Sequence, residues 1–155
     1  MARKGALLVE GTWNGKKIQV MGTHAEAGGS MDLKKGQFYE MQELVNKHKT
    51  ESVPQFFCGD FNTRKGTALY DTLLAVFAAE DGPISSELQF TSDHLLNDMS
   101  HYNPKSRNVI DYVLYRGNGI QPKAIKREVR RYECAWDKTH CDLSDHMAIL
   151  MKIAF

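Results

Sequence analysis

The chain has 155 residues, which suits one domain with a real hydrophobic core, so we expect a single domain over residues 1–155. Its apolar and charged fractions are ordinary for a soluble globular protein, and a formal net charge of +1 excludes a global field that would draw it to nucleic acid or membranes. No apolar run approaches a membrane span, and residues 1–5 lack the apolar core of a signal peptide. Localisation stays open between the cell interior and export directed by a segment outside this sequence.

The first part of the chain predicts a β-hairpin followed by a helix. Residues 6–13 and 17–21 read as strands on either side of Asn14-Gly15, a strong two-residue turn signal. The second strand ends at Gly22-Thr23-His24, before a flexible segment that contains two glycines. Asp32 is the predicted cap of an amphipathic helix that ends near Lys49.

The rest of the chain predicts further strands and one more helix. An apolar strand over residues 54–62 ends in Gly59-Asp60-Phe61-Asn62, and Thr67 is expected to cap a helix that ends near Ala78. Residues 80–107 are polar and irregular, and loops of that length are usually functional or mobile. Strands follow over residues 109–115, 125–134 and 147–155. This order predicts a mixed α/β layer structure.

The three cysteines argue against a zinc knuckle or a dense disulfide framework, because their number is odd and no Cys-x-x-Cys pair occurs. Cys58 lies in an apolar strand and is expected to pack as a small hydrophobe. Cys134 and Cys141 could bridge a short loop, and both the bridged and the free state stay open.

Polar side chains gather near the ends of the predicted strands. Asp60 and Asn62 are two residues apart, so they point the same way if the chain is extended. A carboxylate there can take a proton from water, and an amide can donate to a phosphoryl oxygen. The alternative is a structural Asx-turn, in which Asp and Asn are common.

Asp111 interrupts an otherwise apolar, aromatic strand, and a buried carboxylate is costly unless it is paired. His146 is the natural partner, because an Asp that binds one ring nitrogen fixes the tautomer and leaves the other nitrogen for chemistry. We therefore predict a hydrogen bond between Asp111 and His146. We also predict that one cleft is lined by His24, Asp60, Asn62, Asp111, Asp145 and His146.

Four motifs occur in the order found in the endonuclease/exonuclease/phosphatase superfamily: Gly22-Thr23-His24, Gly59-Asp60-Phe61-Asn62, Ile110-Asp111-Tyr112 and Ser144-Asp145-His146. With the opening Lys4-Gly5-Ala6-Leu7, the chain most resembles the neutral sphingomyelinase branch. Members of this superfamily are built from two similar halves, and the chain resembles the C-terminal half only. The resemblance implies an α/β fold with a mixed sheet, as half of a four-layered α/β/β/α sandwich.

The resemblance implies a metal-dependent phosphoesterase. His24, Asn62 and His146 would bind the scissile phosphate, and Asp60 would orient or deprotonate the attacking water. His146, oriented by Asp111, would act on the phosphate or the leaving group.

Asp145 and Asp60 would help hold a divalent metal, usually Mg²⁺, that neutralises phosphate charge. The Glu that is the principal metal ligand of the superfamily belongs to the half that this sequence lacks. A half-domain without turnover, which binds a phosphorylated ligand or another chain, is therefore the alternative to an enzyme.

The substrate stays open between phosphodiester or phosphomonoester lipids, which fit the family branch, and nucleic acid. The basic run from Lys123 to Arg131 would suit nucleic acid, or it would protect an edge strand from aggregation. The inner sheet face would lack its natural cover, which predicts a homodimer or a complex with a separate N-terminal chain. The side chains expected to be exposed there include Val9, Ile18, Val20, Val113 and Met151.

Overall fold

The computed structural model describes residues 4–100 and 105–155. Residues 1–5, in which no apolar core of a signal peptide was found, lie partly outside this range. The elements are β1 (Ala6–Trp13), β2 (Lys16–His24), α1 (Met31–Lys47), β3 (Gln55–Asp60), α2 (Ala68–Phe77), β4 (Ser92–Asp93), β5 (Arg107–Asn108), β6 (Asp111–Arg116), β7 (Ala124–Arg130) and β8 (Ala148–Ala154). Neither α1 nor α2 is long and apolar enough to cross a membrane.

Four strands form a mixed sheet in the order β1-β2-β3-β6. β2 and β3 are parallel, whereas β1–β2 and β3–β6 are antiparallel. The β1–β2 turn contains Asn14 and Gly15 at φ 49° and 75°, as the two-residue signal predicts. β4–β5 and β7–β8 form two separate ribbons. The predicted α/β class with a mixed sheet is therefore confirmed.

Both helices pack on one face of this sheet and enclose the main core. In register across the sheet, Met21, Phe57 and Leu114 form a row that points toward the helices. The fully buried side chains of this core are Met21, Phe38, Val45, Phe57, Phe61, Leu73, Phe77, Tyr112 and Leu114. Burial of each large apolar side chain contributes roughly 1.5–3 kcal/mol, so this layer is the main source of stability.

The two helix caps show one correct and one wrong prediction. Thr67 caps α2, and its hydroxyl accepts a hydrogen bond from the backbone N–H of Tyr70 at 3.3 Å. For α1 the cap is Ser30, whose hydroxyl accepts from the N–H of Leu33 at 3.2 Å. Asp32 lies inside the first turn instead, where a negative charge is favourable beside the helix N-terminus.

The sheet face opposite the helices is incompletely covered. On β1, the exposed fractions of Leu7, Val9 and Trp13 are 68%, 51% and 53%, so the outer face of this edge strand is apolar and open. Of the other side chains predicted to be exposed here, Ile18, Val20, Val113 and Met151 are half-buried. The β7–β8 ribbon packs against β6, which explains the partial cover of this face.

A buried ion cluster fastens the β7–β8 ribbon to the main sheet. The Asp81 carboxylate accepts hydrogen bonds from Tyr70 Oη at 2.6 Å and Lys65 Nζ at 2.7 Å, and it pairs with Arg127 Nε at 3.0 Å. Arg127 is fully buried, and it also donates to the carbonyl oxygens of Val113 and Glu80. The cluster therefore joins α2, β6 and β7.

All three cysteines are free thiols, so the bridge left open between Cys134 and Cys141 is not formed. The backbone N–H of Cys134 donates to the carbonyl of Cys141, and the Cys141 thiol donates to the Asp98 carboxylate at 3.1 Å. Burial raises the pKa of the Cys58 thiol to about 11, which agrees with its expected role as a small packing residue.

Candidate active site

Three chemically active side chains lie side by side across neighbouring strands. His24 ends β2, Asp60 ends β3 and Asp111 begins β6. The register pairs His24 with Asp60 and Asp60 with Asp111. Directly paired residues project from the same face of a sheet, so the three side chains form one row. His24 Nε2 lies 3.5 Å from Asp60 Oδ2.

Gly59 makes this close arrangement of strands feasible. Its φ is 129°, which side-chain-bearing residues rarely adopt. A Cβ atom at this position would lie 2.0 Å from the backbone oxygen of Thr23 on β2. The residue before Asp60 must therefore be glycine for β3 to approach the end of β2.

The predicted Asp111–His146 hydrogen bond is present. His146 Nδ1 lies 2.9 Å from Asp111 Oδ2 and 3.2 Å from Oδ1. The Ser144 hydroxyl accepts from the backbone N–H of His146 at 3.2 Å and supports the turn that brings the imidazole to the row. Because Nδ1 is held by Asp111, Nε2 remains the ring nitrogen for chemistry.

Asp60 and Asn62 are arranged as a turn and not as an extended pair. The Asp60 carboxylate accepts from the backbone N–H of Asn62 at 2.6 Å, and Asn62 has φ 47°. This is the Asx-turn that the sequence left open, so the extended geometry predicted for the two residues is wrong. Asn62 Nδ2 donates to the carbonyl of Ala25 at 3.0 Å, which leaves one amide hydrogen for a ligand.

The charges of the site shift two pKa values. Burial, followed by the nearby charge of Asp111, raises the pKa of Asp60, which makes its carboxylate a stronger base. The hydrogen bond that His146 Nδ1 donates to the Asp111 carboxylate raises the pKa of His146 above its usual range. The imidazole is thus held closer to its protonated form, which can donate a proton.

We expect the imidazole of His146 to titrate above its usual pKa of about 6.5 in the metal-free chain, and Asp111→Asn to lower that pKa. Since the folded-state pKa is raised, the stability gained from the pair is fully present below the unfolded pKa. It is lost as the pH rises through the folded pKa. NMR titration of the histidine ring protons, with urea unfolding over the same pH range, measures both effects. An unchanged His146 pKa in Asp111→Asn would contradict the pairing.

Three potential metal ligands lie together. One ligand atom from each of Asp60, Asp111 and His146 lies within 4.8 Å of the other two. Two carboxylates that repel one another suit a hard divalent cation, and an imidazole is more typical of transition metals. Asp145 is outside this group of three but lines the same cavity. The donor set therefore fits a divalent cation in part and needs further oxygen ligands.

A cavity of about 320 Å³ opens over this row. Its wall contains every site residue expected from the sequence, namely His24, Asp60, Asn62, Asp111, Asp145 and His146. Two larger cavities adjoin it and share His146 with it. One, of about 540 Å³, extends toward the starts of α1 and α2, and the other, of about 440 Å³, extends toward β8. The scattered motifs thus converge on one open site.

One residue that supports the site carries no signal in the sequence. Thr91 is fully buried, and its hydroxyl accepts from the N–H groups of Ile110 and Asp111, both at 3.1 Å. Its carbonyl accepts from the N–H of Met147, the residue after His146. Thr91 therefore positions both members of the Asp–His pair, although it lies in the irregular loop where no motif marks it.

The basic run beyond Lys123 is largely neutralised. Arg127 is buried against Asp81, Arg130 pairs with Glu128 at 2.6 Å, and Arg131 pairs with Asp142 at 2.6 Å. These arginines therefore do not form a continuous basic face, which the nucleic-acid alternative would need, and the substrate question stays open.

The chain belongs to the endonuclease/exonuclease/phosphatase family, whose sequence model matches residues 3–146. Bacterial proteins are among those to which the chain is similar. A phospholipase C of Staphylococcus aureus is 27% identical over 168 residues, covering 96% of this chain and 50% of that protein. The chain thus spans about half the length of the curated relatives it matches.

Two crystal structures show the same architecture. A beta toxin variant from Staphylococcus aureus with bound magnesium ions has a TM-score of 0.82 and 25% identity, covering 98% of this chain and 58% of that chain. Sphingomyelinase C from Streptomyces griseocarneus has a TM-score of 0.79 and 24% identity, again covering 98% and 58%. These findings confirm the resemblance inferred from the four motifs.

Proposed function

We propose that this chain carries the catalytic residues of a phosphoesterase that hydrolyses a phosphodiester by attack of water. The observation that carries the proposal is the row of His24, Asp60 and Asp111 under one open cavity, with His146 held by Asp111. A base with a raised pKa and a proton donor therefore face the same space. That arrangement suits hydrolysis of a phosphate ester.

In the proposed reaction, a phosphoryl oxygen accepts hydrogen bonds from His24 and the remaining amide hydrogen of Asn62. Asp60 orients the water and takes its proton as the oxygen attacks phosphorus. The bond from phosphorus to the leaving alcohol breaks, and His146 gives a proton to the leaving oxygen. Asp111 keeps the imidazole oriented and stabilises its charge.

Asp60, Asp111 and Asp145 are the residues that would hold a divalent cation, which we propose to be Mg²⁺. When bound, the cation would neutralise charge on the phosphate. The presence of magnesium in the related beta toxin variant supports this choice. Because the site offers few carboxylates, we expect the other half of the fold to supply further oxygen ligands.

Hydrolysis of bis(p-nitrophenyl) phosphate and of p-nitrophenyl phosphate, with magnesium and with EDTA, tests the function. We expect magnesium-dependent turnover of the diester that Asp60→Asn abolishes, since the base is lost. Sphingomyelin and duplex DNA then separate a lipid substrate from a nucleic acid. If the chain hydrolyses no ester, either alone or with an N-terminal half, that result favours the alternative function, in which the half-domain binds a phosphorylated ligand without turnover.

We also propose that the open sheet face associates, either as a homodimer or with a separate chain that carries the N-terminal half. Leu7, Val9 and Trp13 present an apolar strip on the edge strand, and exposed apolar area of this kind favours burial. The expected interface is apolar and above about 2,000 Å² in total.

Sedimentation velocity at micromolar concentration measures this association. Val9→Lys is expected to weaken it, because a charge would be buried at the interface. Leu33→Lys is the matched control, since Leu33 is 50% exposed on α1, away from this face. A stable monomer, both alone and with the N-terminal half, would refute the proposal.

A further inference from the structure

Asp145 and His146 differ from the other site residues because no strand holds them. They lie in the segment that leads from β7 into β8, whereas His24, Asp60 and Asp111 belong to paired strands. Their side chains nevertheless line the same cavity. The backbone on either side of these two residues, here termed the Asp145-His146 dipeptide, must therefore be fixed by other contacts.

Two backbone hydrogen bonds flank this dipeptide. The carbonyl oxygen of Ser144, directly before it, accepts from Asn97 Nδ2 at 2.7 Å. The N–H of Met147, directly after it, donates to the carbonyl of Thr91 at 2.7 Å. Both anchors come from the connection between α2 and β5, which includes β4. Of the two, the Asn97 anchor is made by a side chain, so a substitution can remove it.

Both ends of the Asn97 amide are used. Asn97 is only 5% exposed, and its Oδ1 accepts from the N–H of Met99 at 2.9 Å. Because Oδ1 is the acceptor for that N–H, Nδ2 is the end that faces Ser144. An asparagine offers a donor and an acceptor on one short side chain, whereas an aspartate or a leucine of similar shape does not. The contacts at position 97 therefore need more than a side chain of the right volume.

The turn that carries Asn97 is anchored by a buried carboxylate. The side chain of Asp93 accepts from the N–H groups of Leu95 and Leu96, both at 3.2 Å, and its carbonyl accepts from the N–H of Asn97 at 3.0 Å. Arg107, on β5, binds the same carboxylate through Nε at 3.0 Å and Nη2 at 2.7 Å. A two-point pair of this kind fixes orientation as well as position, so the Asn97 amide is presented from a firm support.

Asp98, the next residue, holds the part of the chain that leads up to Ser144. Its carboxylate accepts from the N–H of Cys141 at 2.7 Å and from that of Asp142 at 3.2 Å. The N–H of Asp98 donates back to the Asp142 carboxylate at 2.8 Å. These contacts end two residues before Ser144, so they fix the approach to the dipeptide, and Asn97 fixes its first peptide group.

We propose that Asn97 is a positioning residue, whose amide holds the Ser144 carbonyl and thereby aims Asp145 and His146 into the cavity. Asn97 is not one of the described residues that line that cavity, so it acts through the turn and not on the substrate. The proposal rests on the proposed function, which gives Asp145 and His146 their roles. A displacement of reacting groups by about 1 Å can cost about 10²-fold in rate, so one hydrogen bond to this turn is enough to matter.

Asn97→Asp tests the contact, because it removes the donor to Ser144 and keeps the acceptor for Met99. In the active form of the protein, this chain alone or its complex with the other half, we expect kcat for bis(p-nitrophenyl) phosphate to fall about 10–100-fold. KM should stay nearly unchanged, since the groups that bind the phosphate are kept. Asn97→Ala should give a similar fall without an added charge. Asn97→Gln, which keeps an amide donor, should recover part of the loss.

Asn118→Asp is the matched control for these variants. Asn118 Nδ2 also donates to a backbone carbonyl, that of Val53 at 2.8 Å, but it lies past the end of β6 opposite to Asp111. The same chemical change there should leave kcat unchanged, whatever it does to the melting temperature. If Asn97→Asp does not fold, Asn97→Ala decides by the same measurements.

A readout without turnover separates this proposal from the proposed function. The proton on His146 Nδ1, held in the hydrogen bond to Asp111, should give a far-downfield NMR resonance in the metal-free chain. Asn97→Asp is expected to broaden or remove this resonance, and Asn118→Asp to keep it. If both the resonance and kcat in Asn97→Asp match those of Asn118→Asp, Asn97 is a structural residue and the proposal is overturned. If no preparation hydrolyses an ester, the resonance decides alone: its loss in Asn97→Asp supports the positioning role although the proposed function fails, and its persistence overturns both.

Discussion

Replacing His146 with alanine is expected to lower phosphoester turnover by about 10²–10⁴-fold in the active form of the protein, whether that is this chain alone or its complex with the other half. The reason is that the hydrogen bond to Asp111 raises the pKa of His146, which prepares its imidazole to protonate a leaving oxygen. Its side chain is 24% exposed, so little packing is lost. Initial-rate kinetics and thermal melting of the same preparation measure the two effects.

His48→Ala is the matched control for this experiment. His48 is exposed at the end of α1, and its removal should leave turnover unchanged. Asp111→Asn should reproduce much of the loss, because the amide cannot stabilise an imidazolium. A loss of only a few-fold in His146→Ala, with a lower melting temperature, would mean that His146 is a structural residue.

The sequence predicted the site better than it predicted the local geometry within it. A strand begins or ends at each of His24, Asp60 and Asp111. The alternation of side chains along predicted strands already suggests that these three meet at one edge of the sheet. The direct pairing of Asp60 with both neighbours depends on strand order and register, which a single sequence does not specify. The sequence left the turn at Asn62 open as an alternative, because a strand that continues to that residue and a strand that ends in an Asx-turn share the same residue types.

Several buried polar residues outside the site, whose partners are distant in the sequence, were not predicted. Gln19 looked like a polar residue on an alternating strand, yet it is fully buried and accepts from Gln55 Nε2 at 2.6 Å. Gln55 in turn accepts from Arg116 Nε at 2.7 Å. Arg127 likewise looked like part of a basic run. In each case a polar partner far away in the sequence makes burial possible, and hydropathy patterns carry no record of that partner.

Asp81→Ala is expected to reduce the free energy of unfolding by about 3–5 kcal/mol, because it leaves the buried Arg127 guanidinium without its counter-charge. Asp81 is also the acceptor for Tyr70 and Lys65, so two further donors lose their partner. Arg127 Nη1 already lacks a hydrogen-bond partner within the described residues, and the remaining carbonyl contacts carry no full charge. Urea unfolding at neutral pH, followed by circular dichroism, measures the difference.

Asp71→Ala is the control, since Asp71 is an exposed acid in the first turn of α2, where the loss should stay below about 1 kcal/mol. A double variant separates charge from packing. Adding Arg127→Met to Asp81→Ala removes the unpaired cation, and replacing a buried pair by apolar groups is often close to neutral, so the double variant should recover much of the lost stability. If Asp81→Ala costs no more than Asp71→Ala, water must reach Arg127, and the β7–β8 ribbon is then held to the sheet by apolar contacts instead.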